Sequence, residues 1–342
     1  MSKYLHASQG DLELEKALLG LDSSGMPITT GNKYYVIPVA DSNYKEFFDK
    51  YQEQYQDGTL AVHNTIASAY SAVTSNRHDI IFLSANAAHA QTSMLTIAKS
   101  RVHFVGMSMR AGSLGMGART RITMGSTAVA TDVGVLLNTG VGNTYDSIKF
   151  DNGNDKAESL YGQLESGEYT IYRNCEFYNS DNLDVAGAAE HVSNGDSTQY
   201  IGCYFGTTAN EIVGAIARPC VLASKNIAPS GTKQLRDNVF TDCVFARKGG
   251  NAANRFVLGA NADDVERMLM FKNCTFFNNP LGAANVGAAI DFTTAQTDGA
   301  IFLDSRCAVV ATTVMGTTGE TIYSMAPDSA ASYAASGLSI AS

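Results

Sequence analysis

Asn174-Cys175-Glu176-Phe177, Gly202-Cys203-Tyr204-Phe205, Asp242-Cys243-Val244-Phe245 and Asn273-Cys274-Thr275-Phe276 are four copies of one phrase. Each copy joins a turn-forming residue to a small buried-type residue, a variable residue and an aromatic. The cysteine and the phenylalanine therefore fall on one face of a strand. The cysteines stand 28, 40 and 31 residues apart, an irregular but coil-sized period that belongs to a solenoid with insertions. A weaker copy precedes them at Asp146-Ser147-Ile148-Lys149-Phe150, and another follows at Asp304-Ser305-Arg306-Cys307-Ala308-Val309. The phrase predicts six rungs of one ladder.

Working outward from the ladder, 342 residues of which 45% are apolar supply a large core, and only 17% are charged. That balance suits many short strands and tight turns. A net charge of −9 opposes a nucleic-acid partner, which needs clustered Lys and Arg. The densest basic patches, Arg110, Arg119 and Arg121 and the pair Arg247-Lys248, read as solvated loop charges. Four of the six cysteines occupy one repeated strand position, so they are expected to be free thiols stacked as small hydrophobes. Side chains stacked in parallel point the same way and lack disulfide geometry. No C-x-x-C spacing suggests zinc, and Cys220 has no nearby histidine.

Residues 1–32 read as an N-terminal arm with a short leucine face (Leu12, Leu14, Leu18, Leu19, Leu21) that could dock on the protein's own body or on a partner. Such a face does not stabilise itself, because isolated helices below ~12–15 residues are marginal in water. Residues 33–125 read as an opening and capping region. Within it, Lys33–Val39 is a strand, Ser42–Gln56 a helix with Ser42 as N-cap, and Ile66–Val73 a small-residue helix capped by Asn64. Asp79–Leu83, Met94–Ile97 and Val102–Gly106 follow as strands, and the small-residue helix is expected to cover the open end of the stack. Residues 126–324 would form the coils, and the Ala- and Ser-rich residues 325–342 a tail without strand period. No secretory signal opens the chain and no apolar run reaches membrane length, so no membrane insertion is expected.

The stretch from His63 to Met107, containing Asp79-Ile80-Ile81-Phe82-Leu83 and Val102-His103-Phe104-Val105-Gly106, resembles the opening of right-handed parallel β-helix proteins of the pectin-lyase-like class. With Tyr34-Tyr35-Val36 and a helix upstream, it also resembles virion structural proteins of tailed bacteriophages. The resemblance covers residues 33–125 and implies an all-β, right-handed parallel β-helix with an α/β cap. In such a fold Phe177, Phe205, Phe245 and Phe276 would form an aromatic column. Asn174, Asp242 and Asn273 would hold turns by bonding their own backbone. Arg218-Pro219-Cys220 and Ile227–Gly231 would form a loop excursion on one side of the stack.

A β-helix enzyme acting on polysaccharide would need paired carboxylates, or a basic residue with calcium. The candidates are Asp181, Asp184, Asp263, Asp264, Asp291 and Asp304, each read as a solvated turn acid. The histidines His63, His78, His89, His103 and His191 are singletons, His191 alone in a loop. Gly112–Gly117 lacks the Lys-Ser/Thr ending of a phosphate loop. No catalytic, cofactor-binding or metal residues are therefore assigned, and function is expected in the loops and the arm. The resemblance implies a non-enzymatic capsid decoration or head fibre, homotrimeric and located in the virion. Its partners would be capsid or other virion proteins, with a host surface glycan as a further candidate. The alternative is a tailspike-type depolymerase or a carbohydrate-binding β-helix. The stacked thiols carry a test: a soluble thiol reagent should leave the native protein unlabelled and modify all six cysteines after denaturation.

Overall fold

A computed structural model describes residues 31–51, 58–108, 120–124, 134–153, 160–179, 188–212, 218–225, 233–259, 261–279, 281–282, 284, 286–292, 299–308, 310–315, 322–325 and 339–340. Short strands wind into three walls of eleven, eight and nine strands among the described residues. One coil shows the rule: Thr144–Asp146 lies in the first wall, Lys149–Asn152 in the second and Tyr161–Glu165 in the third. The next coil repeats it with Ile171–Arg173, Glu176–Asn179 and Ala189–Ser193, each pairing in parallel with its counterpart. The protein is a right-handed parallel β-helix. Pairing begins at Lys33–Val36 and the ladder ends with Ser339–Ile340 against Val314–Met315. The expected tail thus contributes a strand to the third wall, and residues 1–30 of the arm lie outside the described residues.

The corner between the first and second walls explains the phrase. Its first residue takes a left-handed backbone in every rung, with φ of 58° at Ser147, 50° at Asn174, 62° at Gly202, 54° at Asp242, 50° at Asn273 and 50° at Asp304. Asn, Asp and Gly tolerate this region best, which is why they recur. The amides of Asn174, Gly202, Asp242 and Asn273 donate to the next rung, at Ile201, Thr241, Lys272 and Leu303. The asparagine side chains do not turn back on their own backbone as expected. Asn273 Nδ2 instead reaches Asp242 Oδ1 on the preceding rung at 2.6 Å.

The cysteine that follows is more than a small filler. Cys175, Cys203, Cys243 and Cys274 each direct Sγ to the carbonyl of an aromatic residue one coil back, Tyr145, Tyr172, Tyr200 and Phe240, at 3.4–3.5 Å. Ser305 takes the same place on the next rung, its Oγ bonding the Phe271 carbonyl at 3.1 Å. A compact inward donor thus fills the corner in these five rungs, whereas buried Ile148 fills it without a donor in the rung that begins at Ser147. All five described cysteine side chains are free and buried. In the last rung register sets Cys307 opposite Phe276, at the phenylalanine position of the phrase and not the cysteine position.

Two aromatic columns fill the stack. Phe150, Phe177, Phe205, Phe245 and Phe276 lie 4.6–5.3 Å apart as the phrase predicts. A second column, Phe104, Tyr145, Tyr172, Tyr200, Phe240, Phe271 and Phe302, runs up the first wall with spacings of 4.4–5.2 Å. The columns meet edge to face, for example Tyr172 on Phe177 at 5.4 Å. Each buried ring contributes ~1.5–3 kcal/mol, with ~0.5–1.5 kcal/mol more from ring geometry. The second column has its own mark in the sequence, an aromatic five residues before each phrase aromatic.

At the base of the chain, Ile66, Ala69 and Val73 pack into the same core as Tyr34 and Ile81. The helix over them, α2 (Ile66–Ala72), is capped by Thr65 and not Asn64, because the extended Thr65 places Oγ1 3.2 Å from the Ser68 amide. The preceding helix, α1, is described over Tyr44–Tyr51, and the rest of its expected span lies in residues 52–57, outside the described residues. Asp41, not Ser42, organises its start by accepting from the Asn43 amide at 2.9 Å.

The interior also holds polar groups. Glu165 is fully buried and accepts from Tyr172 Oη at 2.5 Å, Asn138 Nδ2 at 3.0 Å and the Gly167 amide at 2.6 Å. Burial outweighs these bonds and lifts its carboxyl from 4.5 to about 7. The folded state therefore holds a proton that the unfolded chain releases at lower pH. Its contribution is complete below about pH 4.5 and lost as pH rises to about 7. The difference is on the order of 3 kcal/mol. Denaturant midpoints should fall between pH 5 and pH 8 more in the natural protein than in Glu165→Gln; equal pH slopes would contradict this account.

Candidate functional site

Alternation along a strand that buries Ile148 and Phe150, or Cys175 and Phe177, must turn Lys149 and Glu176 outward. The variable residue of the phrase thus forms its own column on the outside of the second wall. Register places Arg121 beside Lys149, Lys149 beside Glu176 and Glu176 beside Tyr204. Asp151 and Tyr178 flank this column two residues on. Arg121, Lys149, Glu176, Tyr178 and Tyr204 form the floor of a cleft of ≈ 660 Å³, rimmed by Ala85–Ala88 at one side and Gly206–Ala209 at the other. Gly206 shapes the second rim: its φ is +100°, and a Cβ there would lie 2.1 Å from the Ala246 carbonyl oxygen. The strand shifts register just after it.

Lys149 organises the floor. Its Nζ lies 3.2 Å from Glu176 Oε1, 3.7 Å from Asp151 Oδ2 and 4.3 Å from the centre of the Tyr178 ring. Burial raises the Glu176 carboxyl, partly offset by Lys149. The Tyr204 phenol is pushed up to about 12 by burial, and the Tyr178 phenol is raised for the same reason, with Glu190 next in effect. Arg121 is exposed and has no carboxylate or hydrogen-bond partner among the described residues. It sits on a strand, Arg121–Met124, and not in the loop expected for it.

The carboxylates nominated from sequence do not assemble here. Asp181 and Asp184 lie outside the described residues, as do Arg110, Arg119 and Gly112–Gly117. Asp263 and Asp264 share a turn between the third and first walls. Asp263 faces Lys225 at 3.9 Å, whereas Asp264 is buried, not solvated, and accepts from the amides of Asn261 and Lys225 at 2.7 and 2.8 Å. Asp291 is also buried, in the third wall, where it binds Arg255 Nε at 2.6 Å. Asp304 is exposed at the corner of the last rung.

Three further expectations are corrected. Arg247 is not a solvated loop charge: it is fully buried and bonds Glu190 Oε1 at 2.6 Å and the Arg218 carbonyl at 3.1 Å. Breaking such a pair leaves an uncompensated buried charge, at about 3–5 kcal/mol. Arg218 and Cys220 are buried too, so Arg218-Pro219-Cys220 is part of the body, while the other part of the expected excursion, Ile227–Gly231, lies outside the described residues. Arg218 Nη2 donates to the Asn179 carbonyl at 2.8 Å. His191 lies in the strand Ala189–Ser193, fully buried, with Nε2 2.7 Å from Tyr200 Oη, and burial pushes its imidazole down to about 3. The other histidines also have local partners: His63 bonds Ser68 and the Leu60 carbonyl, His89 the Ser84 carbonyl, and His78 faces His103 at 3.1 Å. Among the described residues no three His, Cys, Asp or Glu side chains group as a metal site, and no helix is long and apolar enough to cross a membrane.

No family model and no curated protein matches the chain. Solved structures do. A pectin methylesterase from Aspergillus niger superposes with a TM-score of 0.55 at 15% identity, over 79% of this chain and 82% of its own. The pectate lyase Pel9A gives 0.51 at 12% identity, over 87% and 79%. The pectin methylesterase from carrot gives 0.51 at 12% identity, over 84% and 86%. At these identities the likeness is one of fold: the chain shares the parallel β-helix architecture of these pectin-acting proteins.

Proposed function

We propose that the chain is a non-enzymatic structural protein of a tailed-phage virion, a capsid decoration or head fibre that assembles as a homotrimer. The observation that carries this reading is the stack of parallel pairs from Lys33–Val36 to Ser339–Ile340, filled by aromatic columns from Phe104 to Phe302 and from Phe150 to Phe276. Such a body is a stiff rod whose backbone amides are committed along its axis. The buried carboxylates support the same reading, since Asp264, Asp291 and Glu190 are each engaged in bonds that hold the coil together. The resemblance of residues 33–125 to phage virion proteins supplies the biological setting, and the leucine-faced arm, residues 1–32, supplies an attachment segment.

Mass spectrometry of density-purified particles should find the chain at a fixed ratio to the major capsid protein. Deleting residues 1–32 should leave a folded oligomer by light scattering that no longer co-purifies with particles. Absence from particles would overturn the reading. Release of reducing ends from a capsular polysaccharide, abolished by a single Asp→Asn change in a protein of unchanged melting behaviour, would do so as well.

A further inference from the structure

We infer that copies of the chain meet through the outward face of the first wall, with Tyr169 and Met270 inside the contact. The inference rests on the homotrimer proposed above and names the surface that forms it.

The inward aromatics of the first wall turn the residues on either side of them outward. One outward column runs in register through Ile171, Gln199, Val239, Met270 and Ile301. A second holds Ile201 and Leu303, with Thr241 and Lys272 between them. The apolar members of both columns are half-buried and reach solvent. The strip continues over the edge of the wall, where Tyr169 is 61% exposed and Val141, on the rung before, 36%. Single surface hydrophobics are ordinary, but a contiguous run of them marks an interaction site. Tyr169 also holds a left-handed backbone, with φ of 54°, which is uncommon for a bulky side chain. A strained, exposed tyrosine beside aliphatic side chains has the marks of an interface anchor.

The other two walls offer no such face among the described residues. In the third wall Gln163 and His191 reach inward to Tyr172 and Tyr200, so Leu164 and Val192 face outward, in register with Leu137, Leu222 and Leu258. All five are already buried within the single chain. The second wall turns Arg121, Lys149 and Glu176 outward, and charges are costly to take out of water.

A second copy of the chain is the occupant that fits the strip. Its side chains recur at the strand spacing of ~4.8 Å, and another copy presents the same columns at the same pitch, so the two can interleave along their length. A surface of different period would match only locally. The edges of the wall keep their own charges paired: Arg236 binds Glu266 at 2.5 Å and Arg267 binds Asp237 at 2.8 Å along one edge, and Asn273 bonds Asp242 along the other. An apolar strip inside a polar rim is the usual layout of a protein interface, with Gln199 and Thr241 as its polar contacts. Lys272 stands exposed and can lay its stem on the strip while its ammonium stays in water. Eleven strands make the wall roughly 48 Å long, and its corners widen it to about 15–20 Å. The resulting area of about 700–1,000 Å² per copy matches the ~800 Å² that each partner of a stable complex buries. A lipid surface is a poorer match, because charged edges flank the strip on both sides.

Sedimentation velocity of the full chain across a concentration series tests the face. The natural protein should sediment as a trimer. Tyr169→Ala and Met270→Glu should each weaken association by about tenfold or more, the scale of a lost anchor. Thr275→Glu, at an exposed position of the second wall, should leave it unchanged. Circular dichroism reports whether each variant is folded. Because the Tyr169 side chain is exposed, its removal leaves the core intact, and Tyr169→Ala decides the matter even where Met270→Glu fails to fold. A monomer at every concentration, a trimer indifferent to Tyr169→Ala, or equal weakening by Thr275→Glu would each overturn the inference. Mass spectrometry of particles separates this from the virion role. A trimer broken by Tyr169→Ala but absent from particles supports the face and removes that role, whereas a chain present in particles whose trimer ignores the change overturns the face alone.

Discussion

The structure depends on a two-residue corner. A residue with a left-handed backbone turns the chain from the first wall into the second, and the next side chain is buried in the corner. Ile148 fills it in one rung, while cysteine in four rungs and serine in the last fill it and also donate to a carbonyl facing inward. Once the corner is set, the aromatic two residues on is aimed into the interior and the one five residues earlier is stacked beside it. Both columns follow from one local geometry repeated at each coil.

This dependence explains what was legible in the sequence. The corner repeats because each rung meets the same steric test, so Asn174, Cys175 and Phe177 announce the fold without any alignment. The first-wall column was equally periodic, but Tyr145, Tyr172 and Tyr200 give way to Phe240, Phe271 and Phe302, and the change of residue type hides a constant place. Arg247 and His191 were misread, and Glu165 and Glu190 passed over, for a different reason. Polar residues are ordinarily outside, and nothing in one dimension shows that a partner such as Tyr172, Tyr200 or Arg218 waits on a neighbouring strand or coil.

The cleft was missed by its own regularity. Lys149, Glu176 and Tyr204 occupy the variable position of the phrase, which reads as filler when attention rests on the repeated residues. In a strand, the constraint on one face and the freedom of the other are two sides of one alternation. The inward residues fix where the outward ones stand, to within a rung, while leaving their chemistry open. Loops were the natural place to look for function, yet the described rims, Ala85–Ala88 and Gly206–Ala209, shape a surface whose floor is the ladder itself.

The parallel register carries a last consequence for how such a protein can change. Each strand pairs with its equivalent in the coils before and after it, and the described pairings are all parallel. Removing or duplicating a whole coil leaves every remaining strand with a neighbour of the same kind, and changes the length of the body by one strand spacing of ~4.8 Å. Length and cross-section are therefore separate variables. Recombination between coils can lengthen or shorten the molecule in fixed steps, while single substitutions at outward positions alter its surface without touching either.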